Sequence, residues 1–301
     1  MQIISNKINN TYFKSNNHIK PEENIDDPYF QNCRNVLRDH YYEYELPYHR
    51  IYENEGRMTD YQLGNMMSQL INIPKYTNDN DILSLPLANI KKIGEHSYRG
   101  QTLYDAEEKY FETVKNAGVN TVVDLIGYPD YDTQVKDAGM NYFCFKSKEV
   151  YNSPAFDSLK KHLNKHERLY LMAKNEGIDI DVDEHLKHDK ETFLKKARKD
   201  INNFVDFINV MRKDNVYIGC QCGTEDTSLA LMLNDAFNPK CQEKPLEISG
   251  SFKITKVNQM FNLYYNLSPD DKRQMGWTEE TNDKVFDRLM DCYTKLINPQ
   301  N

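Results

Sequence analysis

One short stretch of the chain, residues 216–234, carries residue types whose spacing could do nucleophilic chemistry. Within it an apolar segment ends at Cys220, Gly223 follows three residues later, and Thr227 lies at the start of a helix-like segment. A cysteine thiolate is a strong nucleophile when its pKa is low, and backbone amides at a helix N-terminus lower it. Glycine allows such amides to turn toward an anion, and the Thr227 hydroxyl could hydrogen-bond the thiolate. The pattern therefore predicts a phosphate-cradling loop that suits phosphoryl transfer to sulfur.

Residues 83–150 predict the sheet that would position this loop. Their apolar spacing alternates between strand-like and helix-like segments, and glycines follow the helix-like ones. The predicted strands are 90–100, 120–126, 140–145 and 216–219, and the predicted helices between the first three strands are 103–117 and 131–139. This alternation predicts an α/β fold with a central, mostly parallel sheet flanked by helices, and with sites at the carboxyl ends of the strands.

Longer helical patterns lie on either side of the cysteine stretch. The predicted segments are helices 155–175 and 183–213 with a helical insertion at about 151–205, a loop or hairpin at 246–254, and C-terminal helices at about 255–298, the last of them at 279–297. Ser268, followed by Pro269 and an acid at Asp271, has the pattern of a helix N-cap. These segments predict helical additions around the sheet.

The N-terminal part of the chain has a different composition. Residues 1–26 are rich in Asn, Ser and Lys, which cannot bury enough apolar area to offset the entropy of ordering, so they predict a flexible tail. Residues 27–82 are rich in tyrosine and predict a helical lead-in packed on the main domain, because aromatic rings supply large buried area. The α/β domain is then predicted to span residues 83–301.

The charge and hydropathy of the chain limit its partners. The 38 Lys and Arg residues and 46 Asp and Glu residues give a net charge of −8, which disfavours nucleic acid as a partner because phosphate backbones attract positive charge. No stretch approaches the roughly 20 apolar residues that a membrane-spanning helix needs. We expect the partner to be a protein or a phosphorylated ligand, and no cofactor is predicted.

The cysteines and the start of the chain indicate its compartment. Six cysteines are spread over 301 residues rather than framing a small disulfide scaffold, so reduced thiols and a cytoplasmic, reducing compartment are expected. The first residues lack a secretory apolar region and cleavage site. A start rich in Asn, Ser and Lys is also typical of bacterial effectors, so translocation into a host cell is the alternative setting.

The cysteine stretch resembles the signature of the cysteine-dependent phosphatases, the superfamily of protein-tyrosine and dual-specificity phosphatases. That signature is His-Cys, five residues, then Arg followed by Ser or Thr, at the junction of a central strand and a helix. The matching residues here are Gly219 and Cys220, the five residues 221–225, then Asp226 and Thr227. Residues 98–100, 118–125 and 139–142 are also similar to the compact dual-specificity branch, so the resemblance covers about residues 83–150 and 205–238.

The resemblance implies a phosphatase-like fold and a role for each loop residue. Cys220 would be the nucleophile, and the Thr227 hydroxyl would assist the departing thiolate. The phosphate-binding loop would consist of Gln221, Cys222, Gly223, Thr224 and Glu225. No motif identifies the general acid. The loop residues Asp130, Asp132, Glu149 and Asp157 are candidates, and of these Asp130 is the predicted site residue.

Two departures from the signature argue against ordinary phosphatase activity. Gly219 replaces the histidine that positions the cysteine, and Asp226 replaces the arginine that clamps the phosphate. One transition-state donor is worth roughly 2.7–4 kcal/mol, so a reversal of charge should cost on the order of a thousandfold in rate. The predicted function is a degenerate phosphatase that acts as a binding module or bacterial effector.

Several alternatives stay open on the sequence alone. An active Cys220-dependent phosphatase or other thiol-based hydrolase or transferase could use a different cation, such as Arg99 at a strand end. A cysteine protease would need a base such as His96 near Cys220. The loop could also be a plain strand-to-helix turn with a buried cysteine, or Cys220 and Cys222 could be half of a zinc site.

Two further groups of residues have metal-like spacing but favour structural roles. Asp179, Asp181 and Asp183 alternate as in a calcium-binding loop, yet lack its central glycine and final glutamate, so they predict the start of a helix. His162 and His166 are spaced like metal ligands on one helix, but flanking lysines favour a solvated basic face. No metal site is predicted.

Overall fold

The computed structural model describes residues 78–104, 106–221, 223, 225–243, 245–246 and 253–298. The side chains of Glu225 and Lys253 are not part of this description. The predicted tail, residues 1–26, and all but the last five residues of the predicted lead-in, 27–82, lie outside the described residues.

A five-stranded, mostly parallel sheet forms the centre of the described chain. Its strands are β1 (Lys91–Lys92), β2 (Tyr98–Gln101), β3 (Thr121–Asp124), β4 (Asn141–Cys144) and β5 (Val216–Cys220). They lie in the order β1-β2-β5-β3-β4, with β1 antiparallel to β2 and the other neighbouring strands parallel. Helices flank this sheet, so the predicted α/β class is confirmed.

The central position of β5 follows from its apolar sequence. All residues of β5 are buried, as are all residues of its neighbour β3. A strand that is covered on both faces needs a continuous apolar run, because its successive side chains point to opposite faces. Val216, Ile218 and Cys220 belong to one hydrophobic core, whereas Tyr217 belongs to the other. Cys220 is therefore the last residue of the central strand.

Helices cover both faces of the sheet. Their bounds are α1 (Glu108–Asn116), α2 (Tyr131–Asp137), α3 (Ser147–Tyr151), α4 (Leu159–Asn175), α5 (Val182–Met211), α6 (Glu225–Phe237), α7 (Lys253–Asn266), α8 (Pro269–Gln274) and α9 (Glu279–Ile297). Residues of α1 and α2 form the Tyr217 core, and residues of α3, α5, α6, α7 and α9 form the larger core that contains Cys220. Within the described part of the chain, no helix combines the length and the apolar character that crossing a membrane would require.

Two predicted elements before β3 have the wrong bounds. The single strand predicted at 90–100 is the antiparallel pair β1 and β2, because the chain turns between them and the Ile93 amide donates to Ser97 O at 2.8 Å. The helix predicted at 103–117 begins at Glu108. Leu103 precedes it as a buried loop residue whose amide donates to Tyr131 Oη at 3.0 Å. The contact of Leu103 with Tyr131 therefore takes the place of the first turn of the predicted helix.

A helical hairpin projects between β4 and β5. α4 has no buried residue, and the buried residues of α5 begin at Phe193 and continue to Met211. The side chain of Asp181 accepts hydrogen bonds from the amides of Asp183 and Glu184, so it caps the N-terminus of α5. The helix start predicted for these acidic residues is confirmed.

Local capping sets the C-terminal helices. Ser268 Oγ accepts from the Asp271 amide, and the Asp271 carboxylate accepts from the Ser268 amide, which is a capping box at the start of α8. The predicted N-cap and the predicted bounds of α9 are confirmed. Most of the loop or hairpin predicted at 246–254 lies outside the described residues.

Candidate active site

The loop that follows β5, residues 220–226, lies at the carboxyl edge of the sheet, and we call it the cysteine loop. β2 and β3 hold the end of β5 from both sides, because the Thr102 amide donates to Cys220 O at 2.7 Å and the Leu125 amide donates to Gly219 O at 3.1 Å. The sheet thus fixes the position of the loop where parallel strands expose their carboxyl ends, as expected for a binding site in an α/β fold.

The thiol of Cys220 is buried and accepts a hydrogen bond. The residue is 3 % exposed, and Thr227 Oγ1 donates to its sulfur at 3.1 Å. Thr227 itself is fully buried in the first turn of α6. The structure therefore brings together the thiol and the hydroxyl whose spacing predicted this contact.

Gly223 fits a position that a larger residue could not occupy. Its φ is +67°, and a Cβ at this position would lie 2.4 Å from the carbonyl carbon of Gly100 in β2. Its amide donates to Cys220 O at 3.3 Å. The sequence predicted that this glycine turns amides toward an anion, but in the structure its own amide closes a turn within the loop. That donor is consequently not directed at a ligand.

The remaining loop residues contribute less to the described site. Gln221 is buried, and its Oε1 has no hydrogen-bond partner among the described residues. Cys222 and Thr224 lie outside the described residues, as does the side chain of Glu225. The geometry of the phosphate-binding residues predicted at 221–225 is therefore described only at Gln221, Gly223 and the backbone of Glu225.

Arg99 reaches the cysteine loop from β2. Its Nη2 donates to Gly223 O at 2.5 Å and lies 3.5 Å from Ser228 Oγ. Burial lowers the pKa of the guanidinium, and the nearby Cys220 sulfur, when charged, raises it. Arg99 Nε is buried and has no hydrogen-bond partner among the residues that the structure describes. The cation proposed from the sequence thus contacts the loop, through a loop carbonyl.

Asp226 stands at the position where the resemblance to the cysteine-dependent phosphatases led us to expect an arginine. It is 6 % exposed and lies in the first turn of α6. Its Oδ1 is 3.4 Å from Lys148 Nζ, and Ser147 Oγ donates to its carbonyl oxygen at 3.2 Å. A carboxylate in the first turn of a helix is stabilised by the positive end of the helix dipole. The protein therefore places a buried carboxylate at the helix start that follows the cysteine loop.

Gly219, where the resemblance led us to expect a histidine, packs closely on the segment after β2. A Cβ at this position would lie 3.1 Å from Thr102 Cα and 3.2 Å from Thr102 N, which are backbone atoms of that segment. A side chain here would therefore need a backbone shift of a few tenths of an ångström, and glycine avoids this shift.

No hydrogen bond or ion pair in the described chain joins the candidate general acids Asp130, Asp132, Glu149 and Asp157 to the cysteine loop. Asp130 is exposed before α2, its side chain caps no amide there, and no hydrogen bond or ion pair joins it to the described residues of the cysteine loop. Asp132 pairs with Lys136 at 2.7 Å, and Glu149 pairs with Lys146 at 3.4 Å.

Two residues of this edge were not predicted from the sequence. Lys148 lies in α3, and only the fold places it beside Asp226. Asp124 ends β3, and its carboxylate accepts from the amides of the next loop, Ile126 at 2.8 Å, Gly127 at 2.9 Å and Tyr128 at 3.2 Å. An acid that ends an apolar strand just before a Gly-Tyr-Pro turn is a signal that could have indicated this loop anchor.

The histidines that were candidates for a solvated basic face on α4 point instead toward α5. His166 Nδ1 lies 2.6 Å from Asp189 Oδ2, and the His162 ring packs on Phe193 with the ring centroids 4.7 Å apart. The basic residues of α4 are exposed, as predicted, whereas the two histidines are half-buried in contact with α5. No group of three or more His, Cys, Asp or Glu residues in the described chain has a metal-binding arrangement.

Comparison of the chain with protein-family models, with curated proteins and with solved structures found no match. Functional inference therefore rests on the side chains around Cys220. They comprise a buried thiol with a hydroxyl donor, an arginine on one side of the loop, and a buried carboxylate paired with a lysine on the other.

Proposed function

We propose that this protein is a phosphatase-like α/β protein whose cysteine loop serves a binding function and does not hydrolyse phosphate esters efficiently. The observation that carries the proposal is the buried Asp226 carboxylate, held 3.4 Å from Lys148 Nζ at the N-terminus of α6. The order of the strands and the contact of Thr227 with Cys220 support the resemblance to the cysteine-dependent phosphatases.

Charge repulsion is the first reason to expect weak hydrolysis. A phosphate dianion at the N-terminus of α6 would approach the Asp226 carboxylate, which is 6 % exposed and hence poorly screened by water. Two like unit charges about 4 Å apart repel by about 4 kcal/mol at the effective dielectric constant found near protein surfaces. Lys148 offsets part of this repulsion, but it is already engaged by Asp226.

The positions of the hydrogen-bond donors are the second reason. Catalysis of phosphoryl transfer depends on donors that are oriented in advance toward the oxygens that gain charge. Here the Gly223 amide donates to Cys220 O, and Arg99 donates to Gly223 O. Both donors therefore stabilise the loop itself, which suits a loop that presents a fixed surface to a partner. A bacterial effector is one setting for such a protein.

One observation favours a second function, that of a thiol-dependent phosphatase which uses Arg99 as its cation. Arg99 Nε is buried without a hydrogen-bond partner among the described residues, close to a thiol that already accepts from Thr227. A buried donor of this kind carries a desolvation penalty until an acceptor arrives. An anionic ligand that reaches Nε would relieve that penalty.

Turnover of a generic aryl phosphate separates the two functions. We expect the wild type and Cys220→Ser to be indistinguishable in this assay. A double variant, Asp226→Arg with Lys148→Asp, keeps an ion pair at this position but reverses its polarity and places a guanidinium at the signature position. We expect this variant to gain turnover that depends on Cys220, by about tenfold or more, because one charged donor is worth a few kcal/mol in the transition state.

Anion binding gives a readout that is independent of turnover. Inorganic tungstate should not raise the melting temperature of the wild type but should raise that of Asp226→Asn, which removes the negative charge with little change of shape. Wild-type turnover that Cys220→Ser abolishes would overturn the proposal. If Arg99→Lys also lowers that turnover a hundredfold, the second function is supported, since lysine keeps the charge but loses the forked geometry.

A further inference from the structure

The outer face of α4 is an exposed surface with both apolar and basic side chains. None of the residues in this helix is buried. Leu169 is 52 % exposed, Leu171 46 % and Met172 60 %. Three large apolar side chains at such exposure on one helix are more than scattered surface residues, because unpartnered apolar area is unfavourable in water.

The charge of α4 is opposite to that of the whole protein. The helix contains Lys160, Lys161, Lys165, Arg168 and Lys174, and Glu167 is its only acidic residue. Its side chains therefore sum to +4, in a chain whose net charge is −8. A local surplus of this size makes the helix attractive to an acidic partner and less attractive to a neutral one.

Helix geometry places part of this charge beside the apolar residues. α4 faces α5 through His166, whose Nδ1 contacts Asp189, and through Tyr170, whose hydroxyl donates to the same carboxylate. At 100° per residue, Lys161, Arg168 and Met172 fall on the opposite side of the helix. The outer face therefore combines basic and apolar groups and is not occupied by the rest of the described chain.

One segment of this chain has the complementary chemistry. Residues 22–45 contain seven acidic residues and two arginines, which is a net charge of −5. Its aromatic residues are Tyr29, Phe30, Tyr41, Tyr42 and Tyr44. The stretch from residue 45 to residue 78 can extend to roughly 100 Å at about 3.3 Å per residue, which exceeds the size of a domain of this length. The segment can therefore reach α4 of its own chain.

We propose that residues 22–45 dock on the basic, apolar outer face of α4. The acidic side chains pair with Lys160, Lys161, Lys165 and Arg168, while the aromatic rings cover the exposed apolar residues. Covalent linkage raises the effective concentration of the segment to roughly the millimolar range, so modest affinity is sufficient. Because the contact includes exposed ion pairs, it weakens as salt concentration rises.

An anionic membrane is a poorer fit to the same surface. The loop and helix start that follow α4 carry Glu176, Asp179, Asp181, Asp183 and Glu184. These acids lie at the end of the hairpin, next to the exposed Met172 and Ile178, and would be repelled by acidic lipid headgroups. A tethered acidic segment can instead approach the outer face of α4 from its basic N-terminal part.

Zero-length carbodiimide cross-linking of the full-length protein tests the proposal. This reagent joins a carboxylate to a lysine amine only where the two are in contact. A mixture of ¹⁴N- and ¹⁵N-labelled chains separates links within a chain from links between chains. We expect intrachain links from residues 22–45 to Lys160, Lys161 or Lys165, and a several-fold lower yield at 1 M salt, where the Debye length is about 3 Å.

Two results would overturn the proposal. Links from residues 22–45 that join only differently labelled chains would assign the surface to a second copy. Links that reach only other lysines, such as Lys284 and Lys295 on α9, would place the segment elsewhere.

Hydrogen exchange provides a second measurement without removing any lysine. A variant with Glu22→Gln, Glu23→Gln, Asp26→Asn and Asp27→Asn should exchange the amides of residues 163–174 about tenfold faster than the wild type, because docking protects this helix from opening. Unchanged exchange in this variant would contradict the proposal. Binding of the wild type to anionic vesicles that slows exchange in the same residues would contradict it too, since the segment would then not be occupying the face.

Discussion

At the scale of single residues, the loop after β5 is organised around contacts that it makes with itself and with β2. Thr227 donates to the Cys220 sulfur, the Gly223 amide donates to Cys220 O, and Arg99 donates to Gly223 O. Each of these donors would be valuable to a bound anion, but each of these hydrogen bonds is made within the protein, whereas Arg99 Nε is buried without a partner among the described residues. Asp226 adds a buried negative charge at the same helix start. These hydrogen bonds and the buried carboxylate therefore favour a rigid loop over a loop whose donors are free to bind phosphate.

The tight fit of Gly223 predicts a large loss of stability for Gly223→Ala. A Cβ would require the left-handed φ of +67° and would overlap the backbone of Gly100 at 2.4 Å. We expect a loss of about 2–4 kcal/mol in the free energy of unfolding. Urea unfolding followed by fluorescence of the single tryptophan, Trp277, measures it.

Gly177→Ala is the matched control for this prediction. Gly177 also has a positive φ, +83°, but nothing lies within 4 Å of its added Cβ. Gly177→Ala should lose at most about 1 kcal/mol, because it carries only the strain of the left-handed conformation, in a hairpin that contributes little to the stability of the fold. Equal losses for the two alanine variants would contradict the packing account of Gly223.

At the scale of elements, α5 connects the exposed hairpin with the core of the domain. Its first turns pack against α4 through a polar network around Asp189, whereas Phe204, Phe207 and Ile208 are completely buried beneath the sheet. Arg198, between these two parts, forms a two-pronged ion pair with Asp271, with Nη1 2.8 Å from Oδ2 and Nη2 2.5 Å from Oδ1. This pair joins α5 to the capping box of α8.

The Asp271 ion pair predicts an acid-dependent loss of stability. Burial by itself raises the pKa of Asp271, but hydrogen bonds from Arg198 and Ser268 outweigh it and hold the pKa below its usual value. A carboxylate whose pKa is depressed in the folded state stabilises the fold at pH values above its unfolded pKa, about 3.9, and the stabilisation disappears as the pH falls through the folded pKa. Asp271→Asn should lose roughly 1–3 kcal/mol at pH 7 and should flatten this acid-dependent decline.

Asp270→Asn separates the buried pair from surface charge. Asp270 precedes Asp271 in the same helical turn and pairs with Arg273, but its side chain is 72 % exposed. Exposed pairs of this kind contribute little, so the variant should stay within about 0.5 kcal/mol of the wild type. Urea midpoints measured from pH 7 to pH 3 compare the two asparagine variants. If the urea midpoints of both variants depended on pH in the same way, the ion pair of Arg198 with Asp271 would not be the cause of the loss of stability in acid.

At the scale of the whole molecule, the sheet separates two hydrophobic cores of different size. The core with Tyr217 is covered by α1 and α2, and the core with Cys220 is covered by five helices. The hairpin of α4 and the start of α5 lies outside both cores, because α4 contributes no side chain to either and the first α5 residue in the larger core is Ile201. Removal of the hairpin should therefore lower the free energy of unfolding only slightly.

Replacement of residues 167–188 by a short Gly-Ser linker tests this expectation. The two cut points are close, because His166 Nδ1 and Asp189 Oδ2 are 2.6 Å apart. We expect the free energy of unfolding to fall by less than about 1 kcal/mol, and the fluorescence spectrum of Trp277 to stay unchanged.

Phe207→Ala is the contrasting control. Its ring is fully buried and stacks on Phe145 at 4.0 Å, so it should lose about 3–5 kcal/mol. Unfolding of the protein after replacement of residues 167–188 would contradict the conclusion that the hairpin lies outside both hydrophobic cores.

The sequence by itself determined the features that depend on neighbouring residues. The continuous apolar runs of β3 and β5 predicted buried parallel strands, the Ser268 pattern predicted the N-cap of α8, and the last helix was predicted at 279–297, the observed bounds of α9. It also indicated the contact of Thr227 with Cys220, because both lie within one strand-to-helix turn. Such signals are readable because capping, helical period and strand burial act over a few residues.

Only the tertiary structure decided which distant side chains share the edge of the sheet. Lys148 pairs with Asp226 across 78 positions of sequence, Gly223 packs on Gly100, and His166 turns toward Asp189 instead of solvent. The strand order β2-β5-β3-β4 and the packing of α4 on α5 create these contacts, and no local pattern specifies them. From sequence, Asp226 is a reversed charge only if the resemblance to the phosphatase signature holds, and that resemblance stays a prediction. The partner of Asp226, its burial and hence its effect on the loop follow from the fold.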